Sequence, residues 1–492
     1  MRAMMDPLSA LRATLAGRGV PGWLVGGAVR DRLLGRAALD VDVVVAAGAV
    51  AAARAVAAAT GGAFVPLSPE RGIARVVWPG RDGAADAVLD VTDFVGGGLE
   101  RDLAARDFTV NALAVPLDEV PDATSGLRRE TVIDVAGGLA DLDAGRVRMV
   151  AAAAFDADPL RLLRGPRLAA ELGFALDDAT SAAIAARAAS LRRPAGERVR
   201  DELARLLAVD DAANWVRRLD ALGLLAVVLP EVTACRDVGG ASHDVLAHAL
   251  AVLDGACRLT RRLAGDGRAS VAAAADAVID GRRAGLADHA AQRIGGRRWA
   301  VWWRLAALLH DIGKPATAHW DAAAARWRYL GHDAVGAEQV AGVAHRLRLG
   351  ADEAERITAV VRHHLRPLAL ADDPPPSRRA VYRFFRATGP AGVDVALHAL
   401  VDRAAKPEPG HADLAAVAGT VDVLLAAWYD APEVAVAPPP LLDGRDVMAR
   451  FGVAAAPRLG ALLAGLREAQ AAGEVGTIDE AYAWIADAVG SG

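Results

Sequence analysis

The chain has 492 residues, and 56 Lys+Arg against 61 Asp+Glu leave a formal charge of −5. A length of this order predicts about three or four domains, and a 53% hydrophobic share excludes a disordered chain. Much of that share is alanine and aromatics are only 4%, so helical cores are expected; the mild acidity excludes a uniformly basic polyanion binder but leaves room for a local basic groove.

Two cysteines, Cys235 and Cys257, exclude a disulfide scaffold and a cysteine-based zinc site. Lys314 and Lys406 are the only lysines; the remaining 54 basic residues are arginine, the side chain better suited to gripping phosphate. No apolar run reaches the ~18 residues of a membrane span. The first residues read as an ordinary helix, so no signal peptide and no membrane partner are expected, and a cytoplasmic protein is the default. The composition makes no choice of oligomeric state.

Along the chain, the first 145 residues mix strand and helix signals. LVGGAV leads into a helical RDRLLG, DVDVVVA is a β-branched run, and ARVVW and AVLDVTDF are further strands. From about Met149 the pattern turns helical, with DPLRLLRGPRLAAEL, ERVRDELARLLAV and NWVRRLDALGLLAVVL. A further helical block from Ser242 to about Asp402 holds most of the histidines. DDPPPSRR (372–379) reads as a loop, and APPPLLDG (437–444) as the entry to a last helical unit. Arg258 to Arg304 carries ten Arg against four Asp and reads as a solvated helical insertion, with a nucleic-acid surface as the alternative.

The first chemical pattern lies in the strand run. Asp40 and Asp42 are two apart, so both carboxylates face the same side and can share magnesium. Upstream, Gly26 and Gly27 stand between a strand and a helix, where backbone N–H groups can approach a phosphate, with Arg30 as a charged partner. That combination suits two-metal phosphoryl transfer. Asp90 is either a third carboxylate of the site or a solvated strand-end acid. In DPLRLLRGPR, Asp158 and Arg161 are spaced to share a helix face, continued by Arg164 and Arg167. A carboxylate and a guanidinium there can read the edge of a nucleobase, and the other arginines can hold triphosphate oxygens.

These segments resemble one family. GWLVGGAVRDRLLG with LDVDVVV is similar to the opening motif of class II tRNA nucleotidyltransferases and bacterial poly(A) polymerases. LERDLAARDFTVNALAV resembles their second motif through Arg106, Asp107 and Asn111. VIDVAGGLADLDAGRVRMV resembles the hinge motif through Asp134, Gly137, Gly138 and Asp141. FDADPLRLLRGPRLAAELGF resembles the base-reading helix, and ERVRDELARLL the neck helix after it. The resemblance implies template-independent addition of CCA, or CC alone, to the tRNA 3′ end from CTP and ATP, with Mg2+ at the head. Poly(A) addition to RNA shares the same motifs and is the first alternative. The chain departs at Ala105, where an arginine is usual, at Ala157, where an acid is usual, and in having only VGGG between DVTDF and LERDL. That short segment resembles the CC-adding members.

The histidines make a second pattern: His248, His310-Asp311, His332, His363-His364 and Asp402. Imidazoles with carboxylates suit transition metals such as Mn, Ni or Co. The order resembles an HD-type metal-dependent phosphohydrolase, with His248, His310, Asp311 and Asp402 as its core and His332 and His363 as the extra ligands of binuclear members. His364, turned about 100° from its neighbour on a helix, is the alternative to His363. Cyclic or 3′-phosphates on RNA ends are the substrates this implies. A protein that is chiefly such a phosphohydrolase, with an RNA-binding head, is the second alternative.

The expected architecture is therefore α+β. A nucleotidyltransferase head with a small mixed sheet (1–145) precedes an all-helical neck (146–232), an HD domain (233–408) and a helical tail (409–492). The tail either meets the tRNA body or packs on the neighbouring helical domain.

Overall fold

The computed structural model describes residues 6–36, 40–80, 87–94, 96–121, 126–239, 244–406, 413–455 and 457–490. Val95 of the VGGG segment, Leu39 ahead of the DVD strand and the expected 408/409 boundary lie outside them. Contacts divide the chain into two units: residues 1–194 with 222–224, and 195–221 with 225–492. The expected 146–232 neck is thus divided, its first helices clustering with the sheet and Ala195–Ala221 with the histidine-bearing helices.

The first unit is built on a seven-stranded mixed sheet. Its strands are β1 (Gly22–Val25), β2 (Asp40–Val45), β3 (Ala63–Ser68), β4 (Ile73–Trp78), β5 (Ala87–Asp93), β6 (Leu113–Pro116) and β7 (Ile133–Asp134), in the order β3-β4-β5-β2-β1-β6-β7. β2 and β5 run parallel; the other neighbours are antiparallel. β3 and β6 escaped the sequence reading. β3 contains Pro66 and is largely exposed, which a strand tolerates only at a sheet edge, where this one lies.

Alternation along β2 and β5 separates two faces. Val43, Val45, Leu89 and Val91 pack under α1 (Pro7–Ala16), α2 (Gly27–Leu33) and α3 (Ala49–Thr60), with Leu11, Leu15, Val29 and Val56. Val25, Val44 and Ala114 face the other way, against Leu99 and Leu103 of α4 (Leu99–Ala104). Asp40, Asp42 and Asp90 share the parity of Val44 and emerge on this second face where α4 no longer covers it. The hinge motif acts as a clamp. Asp134 accepts from the Gly138 and Leu139 amides at 2.9 Å. The buried Asp141 accepts from Thr109 at 2.7 Å and from Arg146 and Arg148 at 2.7 and 2.8 Å. A Cβ on Gly138 would stand 2.1 Å from the Thr109 carbonyl oxygen, so only glycine admits this approach.

The second unit is helical apart from two short hairpins, Arg293–Ile294 with Arg297–Arg298 and His319–Asp321 with Arg326–Arg328. The helices Val245–Leu263, Trp299–Leu309, His332–Leu347, Ala351–His363 and Gly392–Ala404 surround a core that includes Leu253, Leu305, Val340, Ile357 and Leu397. The interval between His248 and His310 holds two further helices, Ala273–Gly281 and Arg283–Ala291. Most of its arginines are tied down: Arg262 pairs with Asp280, and Arg282 with Asp422 at 3.0 Å. That favours the insertion reading over a nucleic-acid surface. Ser377 and Asp443 cap the helices that follow the two proline loops. In the tail, Pro457–Ala472 packs on Arg378–Thr388, with Arg379 on Glu474 at 2.7 Å and Arg383 on Glu468 at 2.5 Å. Among the described residues no helix is long and apolar enough to cross a membrane.

Candidate active sites: a carboxylate face and a histidine centre

In the first unit, Val25 pairs with Asp42 on one side and Ala114 on the other, which brings the end of β1 beside the carboxylates. The chain then turns at Gly26 with φ +71°, and a Cβ there would stand 2.9 Å from Arg106 Nη1 and 3.5 Å from Asp42 Oδ2. Gly26 is needed for the turn and for the space above Asp42. Its own N–H donates to the Leu113 carbonyl at 3.1 Å, so the cradle expected from the glycine pair is left to Gly27 and the start of α2.

Asp42 sits opposite Asp90 in register, and Asp40 opposite Val88. Burial, with the charges of Asp90 and Asp40 added, pushes the Asp42 carboxyl above the usual carboxylate range, and Arg106 opposes this. A buried carboxylate with two more acids on the same face is costly without a cation, which is the environment a divalent ion relieves. Asp90 is no solvated strand-end acid: Arg75 grips it with two contacts of 2.8 Å. Arg75 lies opposite Asp90 in the β4–β5 register and was missed, since pairing across strands is not written locally in the sequence.

Beside the carboxylates runs a hydrogen-bonded row. Arg30, buried and paired with Asp31 at 2.9 Å, also donates to Asn111 Oδ1. Asn111 donates to Asp107 at 3.2 Å, and Arg164 donates to the other Asp107 oxygen at 3.2 Å. Burial works to raise the Asp107 carboxyl, but Arg164, Asn111 and the Phe108 amide outweigh it and hold it below the usual range. Arg106 donates to the buried Asp102 at 3.1 and 3.2 Å.

The base-reading segment departs from the expected geometry. Its helix, α7, spans Arg161–Leu172 after the short α6 (Ala153–Ala157) and α5 (Gly138–Asp143). Asp158 lies before α7 with φ −139° and ψ 97°, because the residue ahead of Pro159 avoids helical angles. It therefore shares no helix face with Arg161; it accepts from the Leu160 amide at 3.2 Å. Arg161 reaches the carbonyls of Ala105 and Ala154 at 3.1 and 3.3 Å. Arg164 turns to Asp107, and Arg167, nearly buried, pairs with Glu171 at 2.7 Å.

The second unit gathers the histidines. Asp311 lies at the middle of two ligand sets, His248–His310–Asp311 and Asp311–His332–His364, whose donor atoms lie within 4.8 Å of one another in each set. Its Oδ2 is 3.0 Å from His310 Nε2 and 3.8 Å from His248 Nε2. Its Oδ1 is 3.3 Å from His332 Nε2 and 3.8 Å from His364 Nε2. Asp402, fully buried, meets His248 Nε2 at 2.9 Å. The Nδ1 atoms of His310, His332 and His364 lie 2.8, 2.6 and 2.7 Å from the carbonyls of Ala307, Tyr329 and Val361. A carbonyl only accepts, so each Nδ1 carries the proton and each Nε2 offers its lone pair to the centre. This donor set, split about one carboxylate, fits two divalent ions.

Of the adjacent pair, His364 joins the cluster around Asp311 and the expected His363 does not. His363 is half-buried and accepts from Arg366 at 3.1 Å, the 100° helix turn having carried it away. Burial drives the His364 imidazole down to about 3. Gly313 makes the geometry reachable, since a Cβ there would stand 2.1 Å from the His332 carbonyl oxygen.

Three partners escaped the sequence reading. His398, one turn before Asp402, is buried with neither ring nitrogen hydrogen-bonded, and its ring centre is 4.8 Å from that of His310. Lys314 meets Asp311 at 2.6 Å and Lys406 meets Asp402 at 2.7 Å. The signal was present: the chain keeps two lysines among 54 arginines, and both sit on this centre.

Three family models match this chain. The model of the poly A polymerase head domain matches residues 22–148, that of a probable RNA- and SrmB-binding site of polymerase A residues 173–236, and that of the HD domain residues 245–383. The chain is 38% identical over 472 residues to the A-adding tRNA nucleotidyltransferase of Deinococcus radiodurans, covering 94% of each. It is 33% identical over 469 residues to the CC-adding tRNA nucleotidyltransferase of Thermus thermophilus, covering 94% of this chain and 92% of that one. Its fold is that of the Thermotoga maritima CCA-adding enzyme solved with tRNA, at TM-score 0.59, 18% identity and coverage of 99% and 97%. The chain belongs to the tRNA nucleotidyltransferase family, in the branch that carries an HD domain.

Proposed function

We propose that the protein extends the 3′ end of tRNA from CTP or ATP without a nucleic-acid template, releasing pyrophosphate, and that it adds part of the CCA end. The carboxylate face carries this reading. Asp40 and Asp42 present oxygens on an uncovered stretch of sheet beside Arg106 and the Gly26 turn. Magnesium held there supplies charge to the triphosphate and acidity to the tRNA 3′-hydroxyl that attacks the α-phosphate. On this reading Arg106 and Arg161 donate to phosphate oxygens, while Asp158 and the Asp107–Arg164 pair offer acceptor and donor groups to a base edge. Partial addition is favoured by the short VGGG segment and by the two long-matching relatives, each named for one part of the CCA end. Their names also set unrestricted poly(A) addition aside. A tRNA substrate sets the reaction in the cytoplasm.

The test supplies tRNA ending before CCA and tRNA ending in CC, each with CTP, ATP or both, and sequences the products. Growth by CC alone or by A alone supports the reading; a complete CCA end or an unlimited A tail rejects it. Asp40→Ala with Asp42→Ala should lower incorporation by several orders of magnitude.

The histidine centre favours a second activity, hydrolysis of cyclic or 3′-terminal phosphates on RNA ends with Mn, Ni or Co. The observation behind it is the division of ligands about Asp311. On this reading residues 1–145 are the catalytic head, 146–232 the base- and RNA-binding neck, 233–408 the phosphohydrolase and 409–492 the tail.

A further inference from the structure

Between Lys314 and His332 the chain makes the hairpin His319–Asp321 with Arg326–Arg328, and Trp320 stands opposite Trp327 in its register. Their rings meet edge to face with centres 5.6 Å apart. Trp320 is 48% and Trp327 40% exposed, and among the described residues no other tryptophan is as open. A hairpin three residues deep gains little from displaying two indoles to water, and an exposed aromatic pair marks a surface that takes a ligand.

Three features say which ligand. In the hairpin Arg328 pairs with Asp321 at 2.5 Å, which leaves Arg326 as surplus positive charge, a sign that suits a phosphate backbone. Tyr329 follows directly, with its ring centre 5.3 Å from Lys314 Nζ, which rests 2.6 Å from Asp311. The Tyr329 hydroxyl is buried and has no hydrogen-bond partner. The five residue steps from Trp327 to His332 span at most about 17 Å. The aromatic pair therefore lies within a few nucleotides' reach of the ligand sets.

We propose that Trp320 and Trp327 form a stacking platform for the last bases of a single-stranded RNA 3′ end, holding its terminal phosphate at the Asp311 centre. Indole faces accept any base, so the platform selects unpaired ends over duplex without reading sequence. Tyr329 and Lys314, which contact one another, link the hairpin to Asp311. The inference rests on the phosphohydrolase reading for the purpose of the platform, but binding can be tested apart from hydrolysis.

In the experiment, a short oligoribonucleotide with 4-thiouridine as its last residue and a 3′-phosphate is irradiated with the full-length protein and Mn2+. Crosslinks should map to residues 319–328 and vanish in the Trp320→Ala, Trp327→Ala double variant. The same variant should raise the KM for removing the terminal phosphate about tenfold or more, the loss expected for one stacked base, with kcat unchanged. The Trp→Phe pair should restore KM, and metal content and CTP incorporation should stay at wild-type levels. Crosslinks confined to other segments, or an unchanged KM, overturn the platform, as does an equal loss with glycerol 2-phosphate, which has no base to stack. If the wild-type protein removes no phosphate, the phosphohydrolase reading fails while the crosslinks still decide the platform.

Discussion

Asp42 and His364 show the same cost with opposite charge. The raised Asp42 carboxyl means that the folded, metal-free head disfavours the ionised form, so Asp42 lowers stability at neutral pH. Asp42→Asn should therefore raise the melting temperature of the metal-free protein while ending nucleotide incorporation; a lower melting temperature would falsify the assignment of that cost. His364 works in acid. Its folded value of about 3 lies below the ordinary 6.5, so the unfolded chain binds the extra proton between these limits. Stability of the histidine unit should be fully present above about pH 6.5 and fall steadily below it. Thermal unfolding at pH 7.5 and 5.5 with chelator measures this, and saturating Mn2+ should leave the difference as large or larger, because metal-bound imidazoles stay unprotonated in the folded state. His364→Ala should lower bound metal, whereas His363→Ala should leave it unchanged. His363 or His364 was an open choice in the sequence because a one-residue step on a helix is decided by which face packs, and packing is a property of the other helices.

At the level of elements, the sites depend on close approaches that glycine permits. Gly313 lets the helix His332–Leu347 start against the HD turn, and Gly336 on that helix faces it in return. Gly313→Ala should push the two apart, lowering metal content more than it lowers helix content by circular dichroism. The clamp at Asp141 belongs to the same class. Asp141→Ala removes acceptors from Thr109, Arg146 and Arg148, and because both arginines can regain water the expected loss is about 2 kcal/mol in chemical denaturation. Local pattern disclosed the strands β1, β2, β4 and β5, the proline loops and the order of ligands. It did not disclose β3, whose proline and exposure hide an edge strand, or the Arg75–Asp90 pair, which exists only across a register. It misplaced Asp158 by extending a helix through a residue that precedes proline.

In the whole molecule, the carboxylate face and the histidine cluster lie in separate contact units. Asp40→Ala with Asp42→Ala should end nucleotide addition and leave Mn2+-dependent phosphate removal intact, while His310→Ala should do the reverse. Loss of both activities in either variant would contradict separate sites. The order in which the head, RNA-binding and HD family models match follows the order of short, continuous motifs, whereas the division of contacts at Pro194 was not legible, since it depends on which core each helix joins.

The lysines have one more consequence. Amine-directed chemistry on this chain, leaving the N-terminal amine aside, has two targets, and both are held against the carboxylates of a single centre with little exposure. Reductive methylation or acylation thus becomes a local probe in a protein of 492 residues. Protection of Lys314 and Lys406 reports that their carboxylate pairs are intact, and labelling reports that the ammonium groups have been released.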